Sequence, residues 1–166
     1  MLNHRRAELL RRLRGHLFRL YPGQGESCMR RMEMLVGRYG VGAEQIGHPY
    51  QWDQQDSVLI TYGDTIREPG RAPLKTLREF LNLRVQNAIN TVHILPFFPY
   101  SSDAGFSITD YRQVNPDLGS WEEISAIGRN FRLMVDLVLN HVSRESEWFT
   151  DYINGLVPRS RYFIEA

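Results

Sequence analysis

Hydrophobic and polar positions along this chain fall into two patterns, one after the other. Leu9, Leu10, Leu13, Leu17 and Leu20 recur at helical spacing, with Arg5, Arg6, Arg11, Arg12, Arg14 and Arg19 between them. Tyr21-Pro22-Gly23-Gln24-Gly25 breaks that helix. Cys28, Met32, Leu35, Val36 and Tyr39 make a second stripe, which Gly40 and Gly42 punctuate. The pattern predicts a helical hairpin. Beyond it the period changes. Val58-Leu59-Ile60-Thr61-Tyr62 reads as a strand, and Leu74, Leu77, Leu81, Val85 and Ala88 as a helix stripe with Pro73 in its first turn. Thr91-Val92-His93-Ile94-Leu95 is a second strand, stopped by Pro96. Ser120-Trp121-Glu122-Glu123 is a capping-box sequence opening a helix that carries Ile124 and Ile127. Leu133-Met134-Val135-Asp136-Leu137-Val138-Leu139 is a third strand. Nearly continuous apolar strands predict burial on both faces, and so a parallel α/β sheet with right-handed crossovers.

Two places exceed what a plain scaffold needs. The connection Pro96–Gly119 runs to about 24 residues, where such a loop usually takes 2–6. A carboxylate inside an apolar strand, Asp136, must be paired or hydrogen-bonded, and Asn140 and His141 follow it at the strand's carboxyl end. That is where α/β folds build their sites. From spacing alone, two readings stay open: Asp136 satisfies a neighbouring loop while His141 caps a turn, or both serve a substrate. His48 and His93 read as structural, since neither sits at a strand's carboxyl end beside another ligand. Trp121 and Trp148 read as helix-packing anchors.

Composition narrows the class. The chain has 166 residues, 42% hydrophobic and 23% charged, which suits one domain with a real core. No apolar run approaches the roughly 18–20 residues of a membrane span. One cysteine, Cys28, makes no internal disulfide, and the N-terminus lacks a secretory signal pattern, so a cytoplasmic location is expected. The net charge of +1 hides a split: residues 1–38 hold nine arginines against three glutamates, and the rest is acidic. A basic amphipathic helix could bind nucleic acid or acidic lipid. No aromatics interleave with these arginines and no nucleic-acid motif is present, which favours plain helix packing with neither nucleic acid nor membrane as partner. Gly23-Gln24-Gly25 lacks a third glycine and a preceding strand, so it is no nucleotide site.

The segment Asp136-Leu137-Val138-Leu139-Asn140-His141 resembles the first signature segment of the α-amylase superfamily, glycoside hydrolase family thirteen. In that family it lies on the third strand of a (β/α)8 barrel. The stretch from His93 to Ile124, HILPFFPYSSDAGFSITDYRQVNPDLGSWEEI, resembles the sucrose phosphorylase branch, which includes phosphorylases of glucosyl-glycerate and glucosyl-glycerol. The resemblance implies an α/β fold: an incomplete (β/α)8 TIM barrel of three strands over residues 57–166, preceded by a helical extension over residues 1–45.

It also implies roles. Asp103 matches the aspartate that holds the donor glucose, Phe106 the aromatic that gives that sugar an apolar platform, and His141 the histidine that hydrogen-bonds it. Asp136 matches a buried aspartate that organises the strand end. Asn140 matches a calcium-ligating position of many amylases, an ion the phosphorylase branch generally lacks, so no metal and no cofactor is expected. The family forms a covalent glucosyl-enzyme on an aspartate, with a glutamate acid/base, and the branch passes the glucose to phosphate. Those carboxylates lie on the fourth and fifth strands, and none of Glu145, Glu147, Asp151 or Glu165 matches them. The chain thus reads as an N-terminal fragment of a retaining α-glucoside phosphorylase, inactive alone, whose full form takes a sugar and inorganic phosphate. The alternatives are a fragment of an α-amylase-family hydrolase or transglucosidase, or a non-catalytic sugar- or partner-binding module.

Overall fold

A computed structural model describes residues 2–39 and 53–165. Gly40, Gly42 and His48 lie outside the described residues. The chain divides into two compact units, Met1–Trp52 and Asp53–Ala166.

In the first unit, α1 (Leu2–Leu20) and α2 (Gly25–Tyr39) form the expected hairpin. Gly23 turns the chain with a φ of +80°, open to glycine without strain. Gly25 opens α2 rather than ending the break. A Cβ there would lie 2.6 Å from the Phe18 ring, so the close approach of the two helices depends on its absence. Arg14 pairs with Glu26 across the hairpin at 2.9 Å and lies over the Phe18 ring. The predicted stripes are only partly covered. Met29 is buried and Leu13, Leu17, Met32 and Val36 are half-buried, whereas Leu9, Leu20, Leu35 and Tyr39 are exposed. Two helices meet along one narrow seam, and side chains at the margins of a wider stripe fall outside it.

The second unit holds a parallel sheet in the order β1-β2-β3, with β1 at Val58–Thr61, β2 at Thr91–Ile94 and β3 at Arg132–Val135. The crossovers carry α3 (Pro73–Phe80) and α4 (Trp121–Gly128), and α5 (Glu147–Ile153) follows β3. Pro73 occupies the first turn of α3, where its missing N–H is no loss. The stripe Leu74, Leu77 and Leu81 is buried, but a π-helical turn over Leu81–Val85 rotates it away, leaving Val85 half-buried and Ala88 exposed. Val92 and Ile94, on one face of β2, pack with Leu74, Leu77, Ile124, Ile127 and Phe131 into the core.

Burial on both faces holds for the middle strand alone. Ile60 of β1 and Met134 of β3 flank His93 in register, and Ile60 is 60% exposed. The helices pack on the Val92–Ile94 face; on the other face Val58, Ile60 and Met134 of the outer strands are exposed. β3 is also shorter than its apolar run. It ends at Val135, so Asp136 stands just past the strand, and Leu137 and Leu139 are exposed.

The capping box closes as its sequence predicts. The Glu122 N–H donates to Ser120 Oγ at 3.1 Å, and the Ser120 N–H donates to Glu123 Oε2 at 2.9 Å. The Ser120 hydroxyl beside it, helped by backbone N–H groups, holds the Glu123 carboxyl below the usual carboxylate range. Because the folded value is depressed, this stabilisation is present above the ordinary glutamate range and is lost as pH falls through the folded value. Ser120→Ala is expected to cost about 1 kcal/mol at pH 7 by urea unfolding. The penalty should shrink only as pH falls beneath the ordinary glutamate range and through the lowered folded value, where Glu123 is protonated with or without Ser120; a penalty that stays constant over that window would contradict this account.

Candidate functional site

Parallel pairing places the carboxyl ends of all three strands along one edge of the sheet. The Leu95 N–H extends the ladder by donating to the Thr61 carbonyl at 3.0 Å. The chain then leaves β2 into the long connection, and the segment after β3 leaves the same edge.

The connection is folded back on itself. Tyr100 and Ile108 form an antiparallel bridge, and Ile108 is fully buried. The Ser101 N–H donates to the Ser107 carbonyl at 3.0 Å, and the Thr109 N–H to the Pro99 carbonyl at 2.8 Å. Between these bonds lies a tip of three successive positive φ values: Asp103 at 59°, Ala104 at 48° and Gly105 at 102°. Two of the three are not glycine, so the tip stores backbone strain of order 1–3 kcal/mol per residue. Such strain persists only where surrounding bonds over-determine it, and here the flanking bridge does so. The tip presents Asp103 to solvent, with Phe106 half-buried beneath it. The Asn115 N–H, donating to the Phe97 carbonyl at 2.8 Å, closes the remainder of the connection against its own start.

The segment after β3 is tied to this platform. His141 Nε2 lies 3.1 Å from the Phe106 carbonyl oxygen. A carbonyl only accepts, so Nε2 is the donor in this contact, and the tautomer that makes it leaves Nδ1 as the acceptor. The Ser143 N–H donates to the Ile108 carbonyl at 3.0 Å, and the Ser101 and Ser143 hydroxyls are 2.7 Å apart. Tyr111 Oη stands 2.7 Å from the Val138 carbonyl and 3.2 Å from that of His141. His141 and Phe106 are thus in direct contact. Asp103 sits on the same tip, three residues before Phe106, and its carbonyl accepts the Phe106 N–H at 2.9 Å. Asn140 is exposed beside His141.

Asp136 and His93 change the picture drawn from sequence. Asp136 is not buried in a strand. It lies two residues beyond Met134, on the face that Met134 shares with His93, and its Oδ2 is 3.0 Å from His93 Nε2. Both side chains are half-buried. His93, expected to stand apart from any other ligand, is therefore the partner that a carboxylate at this position requires. Its strand position was legible; that Asp136 would face it required the register of β2 on β3. Trp121 is half-exposed at the start of α4, where its indole N–H donates to the Arg112 carbonyl at 3.1 Å and its ring meets Phe97 edge-on. Trp148 stacks on Tyr111 with ring centroids 5.2 Å apart.

Charge at the site is local. Arg112 donates through Nε and its backbone N–H to Asp110, each at 2.9 Å, and this holds the Asp110 carboxyl below the usual range. Burial pushes the Tyr111 phenol up, which keeps it a donor. Among the described residues no three His, Cys, Asp or Glu side chains gather as a metal-ligand set, and no helix is long and apolar enough to cross a membrane.

The tip yields one test. Gly105 has a φ of +102°, and a Cβ there would lie 2.9 Å from the Pro96 carbonyl oxygen. Gly105→Ala should destabilise the second unit by about 1–3 kcal/mol in urea unfolding. A loss no larger than a few tenths of a kcal/mol would show that the tip is not held in this conformation.

Comparison with known proteins identifies the surroundings of this site. The α-amylase catalytic-domain profile matches residues 85–165. The glucosylglycerate phosphorylase of Spirochaeta thermophila is 54% identical over 112 residues, covering 68% of this chain and 19% of that protein. The glucosylglycerate phosphorylase of Allomeiothermus silvanus is 39% identical over 157 residues, covering 95% of this chain and 28% of its own length. This chain therefore spans about a fifth of the first relative and somewhat over a quarter of the second. Among solved structures, the sucrose 6F-phosphate phosphorylase from Thermoanaerobacter thermosaccharolyticum superposes with a TM-score of 0.55 at 37% identity, over 62% of this chain and 20% of that one. A trehalulose synthase superposes with a TM-score of 0.57 at 28% identity, over 66% of this chain and 22% of its own. Over residues 85–165 the chain is thus similar to the α-amylase catalytic domain, and the proteins it resembles include glucosylglycerate and sucrose phosphorylases.

Proposed function

We propose that residues 57–166 are the first three strands of the (β/α)8 barrel of a retaining α-glucoside phosphorylase, preceded by a helical extension at residues 1–45. Asp103, Phe106 and His141 hold the donor glucose in this reading, and Asp136 and Asn140 shape the strand end beneath it. Phe106 offers its ring to the apolar face of the sugar. Asp103 accepts from sugar hydroxyls on the exposed tip. His141, with its Nε2 proton engaged by the Phe106 carbonyl, has Nδ1 left to accept from a further hydroxyl. Groups of this kind orient the ring and favour its oxocarbenium-like distortion; they do not make or break the glycosidic bond. Bond exchange needs an aspartate nucleophile and a glutamate acid/base about 5–5.5 Å apart. Those belong to the fourth and fifth strands of such a barrel, so these residues alone are inactive in this reading. The completed barrel takes a sugar donor and inorganic phosphate, in the cytoplasm.

The observation that carries the reading is the contact between His141 and Phe106, on a tip that also bears Asp103. For the donor, one alignment favours a glucosyl-glycerate over sucrose. The Allomeiothermus silvanus match at 157 residues reaches well into the first 52, whereas the match to the Streptococcus mutans sucrose phosphorylase covers 96.

A chimera tests the proposal. Residues 57–166 would replace the matching segment of the Spirochaeta thermophila relative, and phosphate-dependent release of glucose 1-phosphate from glucosylglycerate would be measured. The chimera should be active, and Asp103→Ala or His141→Ala should lower kcat/KM by about 100-fold or more. Unchanged turnover in both variants of an active chimera would refute the site assignment.

A further inference from the structure

We infer that Tyr111 is a positioning residue: its hydroxyl fixes the backbone that carries His141 against the loop that carries Phe106 and Asp103. The proposal rests on the reading of His141 as a sugar contact.

The backbone from Asp136 to His141 has left the sheet and has no ladder to hold it. Its apolar side chains offer little help, since Leu137 and Leu139 are 77% and 75% exposed. A segment with those exposures would ordinarily be mobile. What holds it are contacts at its two ends. At the start, His93 on the central strand meets Asp136 at 3.0 Å. At the far end, one phenol oxygen stands within hydrogen-bond distance of two carbonyls three residues apart, Val138 at 2.7 Å and His141 at 3.2 Å. A single O–H donates to the nearer carbonyl and lies close to the second, so a shift of His141 relative to Val138 disturbs both. Val138 is buried, and it anchors that pair to the interior.

Tyr111 is itself immobilised. Its ring stacks on Trp148 at 5.2 Å and leans on Phe98 at 5.7 Å. Phe98 in turn packs against the core. Its neighbours Asp110 and Arg112 are locked to each other. Burial holds the phenol in its protonated form, so the donor persists through neutral and mildly alkaline pH. Tyr111 also belongs to the same long connection as the Asp103 tip. One hydroxyl therefore links the two arms of the site, the connection after β2 and the segment after β3. The Ser101–Ser143 hydroxyl pair and the Ser143 N–H bond to the Ile108 carbonyl are further links beyond His141, and the contact of the His141 ring with the Phe106 carbonyl is the geometry that the phenol is proposed to fix.

Tyr111→Phe removes only that oxygen and keeps both ring contacts. In the 166-residue chain labelled at histidine and phenylalanine, cross-relaxation between the His141 ring and Phe106 reports their separation. The expected result is loss of those cross-peaks in Tyr111→Phe, with circular dichroism unchanged. Arg112→Ala, which breaks neighbouring ion pairs but spares the hydroxyl, should keep them. Cross-peaks of undiminished intensity in a folded Tyr111→Phe chain would overturn the proposal, as would their equal loss in Arg112→Ala. The readout is geometric, so it stands or falls separately from the sugar assignment, which the chimera's kinetics decide.

Discussion

Parallel alignment of three short strands is the constraint on which the rest of this structure depends. Parallel strands leave the sheet at the same edge, so whatever follows Ile94 and whatever follows Val135 are delivered side by side. The hydrophobic core makes that delivery stable. Val92 and Ile94 are fully buried against the leucine stripe of α3 and the isoleucines of α4, and truncating such a leucine typically costs about 2–5 kcal/mol. The chemistry-bearing side chains contribute little to that core. They occupy the loops it projects, which is the division of labour expected of an α/β scaffold.

Holding the two arms together falls to a few polar contacts. None is individually large; a typical hydrogen bond contributes about 0.5–1.5 kcal/mol net. Their value lies in placement. The Ser143 N–H, the two serine hydroxyls, the His141 ring and the Tyr111 phenol all bridge the connection after β2 to the segment after β3. They offset the strain of the two non-glycine residues at positive φ, Asp103 and Ala104, in the tip. A tip strained in isolation and braced from outside presents its side chains in one arrangement, which suits the recognition of a rigid ring.

Much of this was legible in the sequence. The three strands, the two crossover helices and the parallel order followed from β-branched runs alternating with leucine and isoleucine stripes. The Ser120–Glu123 box and Pro73 marked helix starts because their signals are local, a matter of one turn of backbone. The ends of elements were less legible. The run from Leu133 to Leu139 is uniformly apolar, yet pairing stops at Val135, because a strand ends where its partner does and β2 ends at Ile94. Burial of the outer strands was over-read for a related reason: an apolar side chain records a tendency, while its coverage depends on other elements. Asp103, Phe106 and His141 were found by resemblance to a family, since their sequence separation says nothing of their proximity. His93 and Tyr111 were missed because each acts through a partner more than 25 positions away, on another strand or loop.

The central claim is that the long connection is a braced platform and not a pliable loop. Amide hydrogen exchange tests it most directly, at the N–H groups of Ser101, Thr109, Asn115 and Ser143, each of which donates to a named carbonyl. The account predicts that these four exchange as slowly as the amides of the central strand β2, and more slowly than those of the tip. Exchange at the rate of an unstructured peptide would contradict it.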